Sequence, residues 1–283
     1  MNEIEILRHN PLIDPSLHVW GWQIAVYLFL GGLAAGVMIL AGILRGQSRA
    51  ARWLIFIAPL ALSAGMLALF IDLEHKLHVF RFYTAFRVTS PMSWGSWILL
   101  LIYPATILYG FRPTERLRRI NIGLGVVLGA YTGVLLGTLT ARAAWSSLFL
   151  APLFLVSGVS AGAAIAMLLP LNEEERTSIR RWDLIAIGAE AVVLGFFFLD
   201  LVSAGGSRGR AAASLFLGGP YTAVFWSLVV VMGLLVPLTM EFLETRRHLR
   251  FVALVPVLIL AGGLALRWIL LAAGQASAFR LLP

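Results

Sequence analysis

Long uninterrupted runs of apolar residues constrain this chain more than any other feature. A helix needs roughly 20 apolar residues to cross the hydrocarbon layer of a bilayer, and several runs near that length follow one another along the sequence. Because the runs are continuous rather than alternating, a transmembrane β-barrel is disfavoured. We predict an all-α integral membrane protein with eight transmembrane helices, which cover residues 20–43, 53–73, 94–111, 120–140, 147–171, 182–204, 219–240 and 251–274.

The composition excludes a soluble enzyme. Hydrophobic residues make up 60% of the 283 residues and charged residues only 13%, whereas ordinary soluble domains are about a quarter charged. So large an apolar surplus cannot be enclosed in one globular core. The net charge of +8 does not indicate a nucleic-acid partner, because the arginines cluster in short loops between the apolar runs, where they set membrane orientation.

Arginine is distributed unequally between the two sets of loops. The richer set contains Arg45, Arg49, Arg52, Arg112, Arg116, Arg118, Arg119, Arg176, Arg180, Arg181, Arg246, Arg247 and Arg250. Loops of this kind face the cytoplasm, so we predict that both termini lie outside. Residues 1–19 are then an outside segment, and their acidic character leads us to expect no cleavable signal peptide. Helices 1–4 occupy 20–145, and helices 5–8 occupy 146–283.

Two similar small-residue motifs suggest an internal repeat. The first span contains LFLGGLAAG at Leu28–Gly36, and the fifth contains FLVSGVSAG at Phe154–Gly162. An aspartate follows each motif near the outer end of the next span, namely Asp72 and Asp200. Four spans per unit would give two parallel four-helix repeats. The alternative is that small residues recur simply because they let helices approach closely.

Two other features indicate the membrane surface. Tryptophans lie near several span ends, as in an interfacial belt: Trp20, Trp22, Trp53, Trp94, Trp145 and Trp182. The outside connection 74–93 is long for a helix hairpin and mixes basic and aromatic residues. It is suited to a short amphipathic helix at the interface, to a docking surface for a water-soluble partner, or to both.

Few ionisable residues lie within the spans, where they are costly and usually face a cavity or a partner. They are Asp72, Glu190, Asp200 and Arg267, with Arg142 at the outer end of span 4 and His18 and Gln23 at the outer start of span 1. For Asp72, Arg142 and Asp200, an interfacial charge that reaches to water is an equally good explanation.

Helical spacing groups some of these residues. Tyr131, Thr138 and Arg142 fall on one face of a helix with 3.6 residues per turn, although Tyr131 could also be a core tyrosine bonded to a backbone carbonyl. Asp183 and Glu190 are seven residues apart in span 6 and also share a face. Such buried carboxyls could relay protons, with Asp200 further along, or could pair with an arginine on another helix.

Missing residue types limit the redox chemistry. Cysteine is absent, and none of the five histidines lies deep within a span. The chain therefore lacks the ligands for an iron–sulfur cluster or a transmembrane haem. If it takes part in electron transfer, it must use a bound organic carrier beside metal centres that another subunit supplies.

Three motifs resemble the polysulfide reductase membrane subunit, or NrfD, family: HVWGWQIAVYLFLGGLAAG at His18–Gly36, SPMSWGSWILL at Ser90–Leu100 and GAYTGVLLG at Gly129–Gly137. The resemblance covers most of the chain. It implies a haemless prokaryotic membrane anchor that binds menaquinone or ubiquinone near the surface facing an iron–sulfur subunit, and through that subunit joins a molybdenum or tungsten oxidoreductase. It also implies that His18, Gln23 and Tyr131 contact the quinone headgroup, with Asp72 as a neighbouring acid.

The sequence therefore predicts the quinone-reactive subunit of a respiratory oxidoreductase of the cytoplasmic membrane, which is not catalytic alone. Quinol oxidation releases protons, for which His18 or Asp72 is a suitable acceptor. The alternative is a secondary transporter or ion channel that uses Glu190, Asp200 and Arg267. The terminal substrate and the direction of electron flow stay open.

Overall fold

The computed structural model describes residues 20–45, 48–73, 76, 84, 90–138, 142–247 and 254–277. Its main helices are α1 (Trp22–Leu44), α2 (Arg49–Asp72), α3 (Pro91–Phe111), α4 (Glu115–Gly137), α5 (Leu150–Met167), α6 (Glu173–Ser203), α7 (Gly206–Leu217), α8 and α9 (Leu254–Ala276). Helix α8 is continuous through Thr222–Val224, Phe225–Leu235 and Val236–Arg247. In these ranges, eight helices, all but α7, are long and apolar enough to cross a membrane. The predicted all-α architecture is confirmed.

Two helices extend beyond their predicted spans at the arginine-rich loops. Helix α6 begins at Glu173 because Asn172 and Glu175 form a reciprocal capping box there. The Glu175 carboxylate also accepts a hydrogen bond of 2.8 Å from the backbone N–H of Ser48, which ties α6 to the α1–α2 loop. Helix α8 continues to Arg247, so Glu241 lies inside a helix rather than in a loop.

Two connections differ from the sequence analysis in what can be said of them. The loop after α6 contains the short helix α7, which was not predicted and whose Ala212, Ala213 and Phe216 are buried. The amphipathic helix expected within 74–93 lies outside the described residues, apart from Lys76, Thr84 and the start of α3.

Helix α1 lies at the centre of the bundle and packs on α2, α4, α5 and α9. Its crossing with α5 depends on glycines from the two similar motifs: a Cβ at Gly36 would lie 1.9 Å from the carbonyl oxygen of Gly158, and one at Gly162 would lie 2.4 Å from the carbonyl carbon of Gly36. The two motifs thus lie against each other. A true duplication stays a prediction, because close packing explains the glycines equally well.

Polar side chains also join the helices of the first half. The Asn121 amide of α4 donates a 2.8 Å hydrogen bond to the carbonyl of Met38 in α1, and its carbonyl accepts one of 3.3 Å from Thr106 of α3. Both side chains are fully buried. In a bilayer such groups must find partners within the protein, so this bonding helps to fix the relative positions of three helices.

The alternating helices give the bundle two distinct ends. The N-terminal end carries the start of α1, the end of α2, the start of α3 and the end of α4. The opposite, arginine-rich end carries Arg45, Arg49, Arg112, Arg116 and Arg180. Which end faces the cytoplasm stays a prediction from the arginine count.

The α1–α5 crossing can be tested with two glycine variants. We expect Gly162→Ala to lower the unfolding temperature in detergent, with a cost of about 1–3 kcal/mol, because the added methyl group meets the backbone of Gly36. Gly188→Ala is the matched control: nothing lies within 4 Å of its added Cβ, and alanine favours a helix over glycine. Equal unfolding temperatures for the two variants would contradict this packing.

Candidate functional site

Tyr131 of α4 lies buried at the N-terminal end of the bundle, with 8% of its surface exposed. Its hydroxyl hydrogen-bonds the backbone of Gly95 in α3, and Tyr27 of α1 is near enough to interact with it electrostatically. A Cβ at Gly95 would lie 2.1 Å from the Tyr131 hydroxyl oxygen. The glycine of the SPMSWGSW motif is therefore what allows this tyrosine to reach α3.

Gln23 lies one helical turn beyond Tyr27 on α1, closer to the membrane surface. Its side-chain oxygen is enclosed, and among the described residues no donor reaches it. An enclosed carbonyl without a donor costs about 1–3 kcal/mol. This oxygen is therefore suited to a hydrogen-bond donor from outside the described part of the chain, such as a ligand hydroxyl.

Asp72 ends α2 at the same end of the bundle and is half-buried. Gly65 of α2 faces Tyr27 and Leu30 of α1, and the antiparallel register then places Asp72 beside the first turn of α1. Within the described ranges it makes no hydrogen bond or ion pair. A carboxylate in this position is available as an acceptor at the edge of the Gln23–Tyr131 region.

The predicted shared face of Tyr131, Thr138 and Arg142 is wrong, because α4 ends at Gly137. Thr138 is exposed and donates to the carbonyl of Leu135 at 2.7 Å. Arg142 lies beyond the helix and donates to the carbonyl of Ser277 at 2.7 Å, while partial burial lowers its pKa from the ordinary arginine value. These contacts make Arg142 a tie to the end of α9. His18 lies outside the described residues.

The start of α1 is held in place by α9, through contacts that sequence reasoning missed. Gln275 forms two reciprocal 3.0 Å hydrogen bonds with the backbone of Trp20. Trp145 lies 5.3 Å from Trp20, ring centroid to ring centroid, and its indole N–H donates to the carbonyl of Leu270 at 2.9 Å. Trp145 is therefore a buried anchor rather than part of an interfacial belt, although Trp22, Trp53, Trp94 and Trp182 are exposed as the belt predicts.

A second polar region surrounds Arg267 in the core. This fully buried guanidinium donates to the Ser157 hydroxyl at 2.6 Å and to the carbonyls of Gly263 and Phe154 at 3.1 Å each. It also lies 5.0 Å from the centre of the Phe154 ring. On its other side it approaches Gly32 of α1, where an added Cβ would lie 3.0 Å from the guanidinium.

Glu190 of α6 faces the same region. Its carboxyl is hydrogen-bonded to Ser157 and interacts electrostatically with Arg267, so the arginine on another helix that the sequence analysis considered as a partner is present. Both residues border a small cavity, about the size that one water occupies, between α5, α6, α8 and α9. The π-helical part of α8 and the glycines Gly233, Gly262 and Gly263 form its remaining wall.

Asp183 continues this polar line toward the arginine-rich end. Its carboxylate accepts a 2.6 Å hydrogen bond from Ser160 and is hydrogen-bonded to the Glu241 carboxyl of α8. Sequence reasoning missed Glu241 because the predicted span ended one residue before it. The structure does not bring Asp200 to this line: it lies half-buried nearer the N-terminal end, beyond Leu194 and Phe197.

The two polar regions contain no metal-binding set in the part of the chain that the structure describes, since no three His, Asp or Glu residues converge there. The region at the N-terminal end offers instead an amide oxygen, a tyrosine hydroxyl and a carboxylate between apolar helices. Such a set can position a neutral organic ring by hydrogen bonds.

Comparison with known proteins gives consistent matches over almost the whole sequence. The family model for polysulphide reductase, NrfD, matches residues 10–278. The C subunit of polysulfide reductase from Wolinella succinogenes is 29% identical over 299 residues, which cover 91% of this chain and 94% of that protein. Protein NrfD of Escherichia coli is 28% identical over 302 residues, with 91% and 95% covered. The Haemophilus influenzae NrfD homolog is 26% identical over 312 residues, with 94% and 97% covered.

The core charge arrangement predicts a specific pattern of stabilities. We expect Arg267→Met to destabilise the protein by about 3 kcal/mol or more, because it leaves the Glu190 carboxylate buried without its positive neighbour. Arg267→Met combined with Glu190→Gln should recover most of that loss, because no buried charge remains. Thermal unfolding in lipid nanodiscs measures both. A double variant as unstable as the sum of the two single variants would show that the charges are not coupled.

Proposed function

Because the chain belongs to the polysulphide reductase NrfD family, we propose that it is the quinone-reactive membrane subunit of a respiratory oxidoreductase complex. It exchanges electrons between the quinone pool of a prokaryotic cytoplasmic membrane and an iron–sulfur partner subunit. Relatives named for polysulfide reductase and NrfD support the coarse assignment. The protein is one component of an enzyme and is not catalytic alone.

The observation that carries the proposal is the enclosed Gln23 oxygen beside Tyr131 at the N-terminal end of α1, α2, α3 and α4. A quinone ring carries two oxygens on opposite sides, which accept hydrogen bonds as the quinone and donate them as the quinol. Tyr131 is a donor and acceptor, whereas the Gln23 oxygen only accepts. The pair therefore fits the quinol, whose hydroxyl supplies the donor that Gln23 lacks among the described residues.

The proposed contact set is His18, Gln23 and Tyr131, with Asp72 as the neighbouring acid. His18 enters through the resemblance of its motif alone. Thr138 and Arg142 are left out, because their contacts at 2.7 Å to Leu135 and Ser277 serve the helix ends. Oxidation of a quinol releases two electrons and two protons. Asp72 and His18 are the residues of this set that can accept a proton.

The partner subunit follows from the same location. The sequence has no cysteine, so electrons that leave the quinol must pass to a cluster in another subunit at the N-terminal end. Through that subunit the complex reaches a molybdenum, tungsten or other catalytic subunit on the outer face. The isoprenoid tail of the quinone, menaquinone or ubiquinone, stays in the lipid while the ring enters between the helices.

A second candidate function is a secondary transporter or proton channel. It is favoured by the buried groups of the second half, above all Asp183, Glu190 and Arg267. A transporter would move its ion when this protein alone is reconstituted into liposomes. The redox subunit would instead co-purify with cofactor-bearing subunits and extractable quinone.

Tyr131→Phe tests the quinone site directly. We expect quinol-dependent turnover of the complex to fall about tenfold or more, since the lost hydroxyl removes a hydrogen bond of about 1.4 kcal/mol to the reacting ring. His18→Ala should have a comparable effect. Assembly, followed by co-purification of the iron–sulfur subunit, should stay intact.

Tyr109→Phe is the matched control. Tyr109 is also a buried tyrosine, with 5% exposure, but its hydroxyl donates to the carbonyl of Ala41 at the arginine-rich end. Turnover of this variant should equal that of the wild type. Unchanged kinetics in both Tyr131→Phe and His18→Ala would remove the proposed site.

A further inference from the structure

The Asp183–Glu241 contact has a chemical requirement that the quinone site does not explain. Two ionised carboxylates can only accept hydrogen bonds, so a hydrogen bond between them requires a proton on one of the two. Asp183 Oδ1 is already bonded to Ser160 at 2.6 Å, and Oδ2 has no N–H or O–H donor in the described ranges. The donor to Oδ2 must therefore be the Glu241 carboxyl itself.

We propose that Asp183 and Glu241 share one proton and, with Ser160 and Ser157, form an inlet that carries protons from the arginine-rich end to Glu190 in the membrane core. The ligand of this site is the proton alone. The inlet lies in the second half of the bundle, and it does not depend on the quinone site.

The charge balance of the cluster supports a shared proton. Arg180 forms a 2.9 Å ion pair with Glu244, and that pair is neutral. Asp183 and Glu241 are both fully buried, and two further negative charges there would be uncompensated, since Arg180 is already engaged. Burying uncompensated charge is costly. One shared proton leaves a single negative charge, which Ser160 and the nearby Arg180 stabilise.

The entrance lies at the arginine-rich end. The Arg180 side chain is 22% exposed and the Glu244 side chain 9%, so this ion pair reaches from the aqueous surface to the carboxyl pair. Glu241 and Glu244 are three residues apart on α8 and therefore share a helix face. Rearrangement of the Arg180–Glu244 pair would bring water to Glu241.

The onward route uses two serines on one face of α5. Ser160 bonds Asp183, and Ser157 bonds Glu190. Along α6 the two carboxyls are separated by about 10 Å, at 1.5 Å per residue. Ser157, Ser160 and Glu190 all border the cavity described above, and one water there would complete a line of hydroxyls between them.

The route ends at Glu190. Toward the N-terminal end, the next residues of α6 pack into a cluster of phenylalanines with ring centroids 5.2–6.4 Å apart: Phe197, Phe198, Phe216 and Phe225. This cluster contributes no hydroxyl or carboxyl that could continue the line. The structure thus provides an inlet that is open at one end only, with Arg267 beside its terminal acceptor.

Infrared spectroscopy of the full-length protein in lipid nanodiscs at neutral pH tests the shared proton. The wild type should show the C=O stretching band of a protonated carboxylic acid, which shifts in D2O. Asp183→Asn and Glu241→Gln should each abolish the same band, and the double variant should lose no more intensity than either one. Asp200→Asn is the control and should keep the band. Two separate bands, or no loss in either variant, would overturn the proposal.

A second measurement tests the route to Glu190. In Arg267→Gln the Glu190 carboxyl loses its positive neighbour and should take up a proton, giving a new band that is absent when Glu190→Gln is added. Its exchange in D2O should slow at least tenfold when Asp183→Asn is added and should not change when Asp200→Asn is added. Failure of the new band to appear, or equal exchange in all variants, would overturn the inlet. Because neither measurement uses quinol turnover, both are independent of the quinone site.

Discussion

The absence of water from the membrane core is the constraint on which the rest of this structure depends. Every polar group that the helices bury must be satisfied by another part of the protein. Asn121 meets this requirement through α1 and α3, and Arg267 meets it through α5 and its own helix. Because most of these bonds join different helices, the few polar residues determine how the apolar ones pack, although apolar contacts greatly outnumber them.

Helix α1 connects the two polar regions. Near the membrane surface it contributes Gln23 and Tyr27 to the proposed quinone site, and deeper in the membrane its Gly32 backbone lies against the Arg267 guanidinium. The glycines that allow α1 to approach α5 also bring Arg267 within reach of both helices. A change in charge near Glu190 could therefore act on the helix that carries the quinone contacts, with no direct link between the sites.

The sequence was sufficient to locate the eight spans, because apolar runs of membrane length are a strong signal. It was less informative at helix ends. The capping box at Asn172 extends α6 through a charged segment, and the continuation of α8 to Arg247 places Glu241 in the core. Neither feature changes hydropathy. The Trp20–Gln275 bonds and the burial of Trp145 join residues far apart in sequence, and no local pattern indicates such contacts. Tyr131 and Gln23 were identified by motif, and spacing alone placed Arg142 on a helix that ends before it.

The central claim is that a quinone ring binds at the N-terminal end of the bundle, between α1, α2, α3 and α4, and photoaffinity labelling tests it most directly. The native complex would be irradiated with a photoreactive quinone analogue, and the labelled peptides identified by mass spectrometry. The account predicts label within the peptides that contain Gln23 and Tyr131, and its loss when unlabelled quinone is in excess. Competed label in the apolar groove at the arginine-rich end, which is lined by Trp53, Phe56 and Phe111, would contradict it.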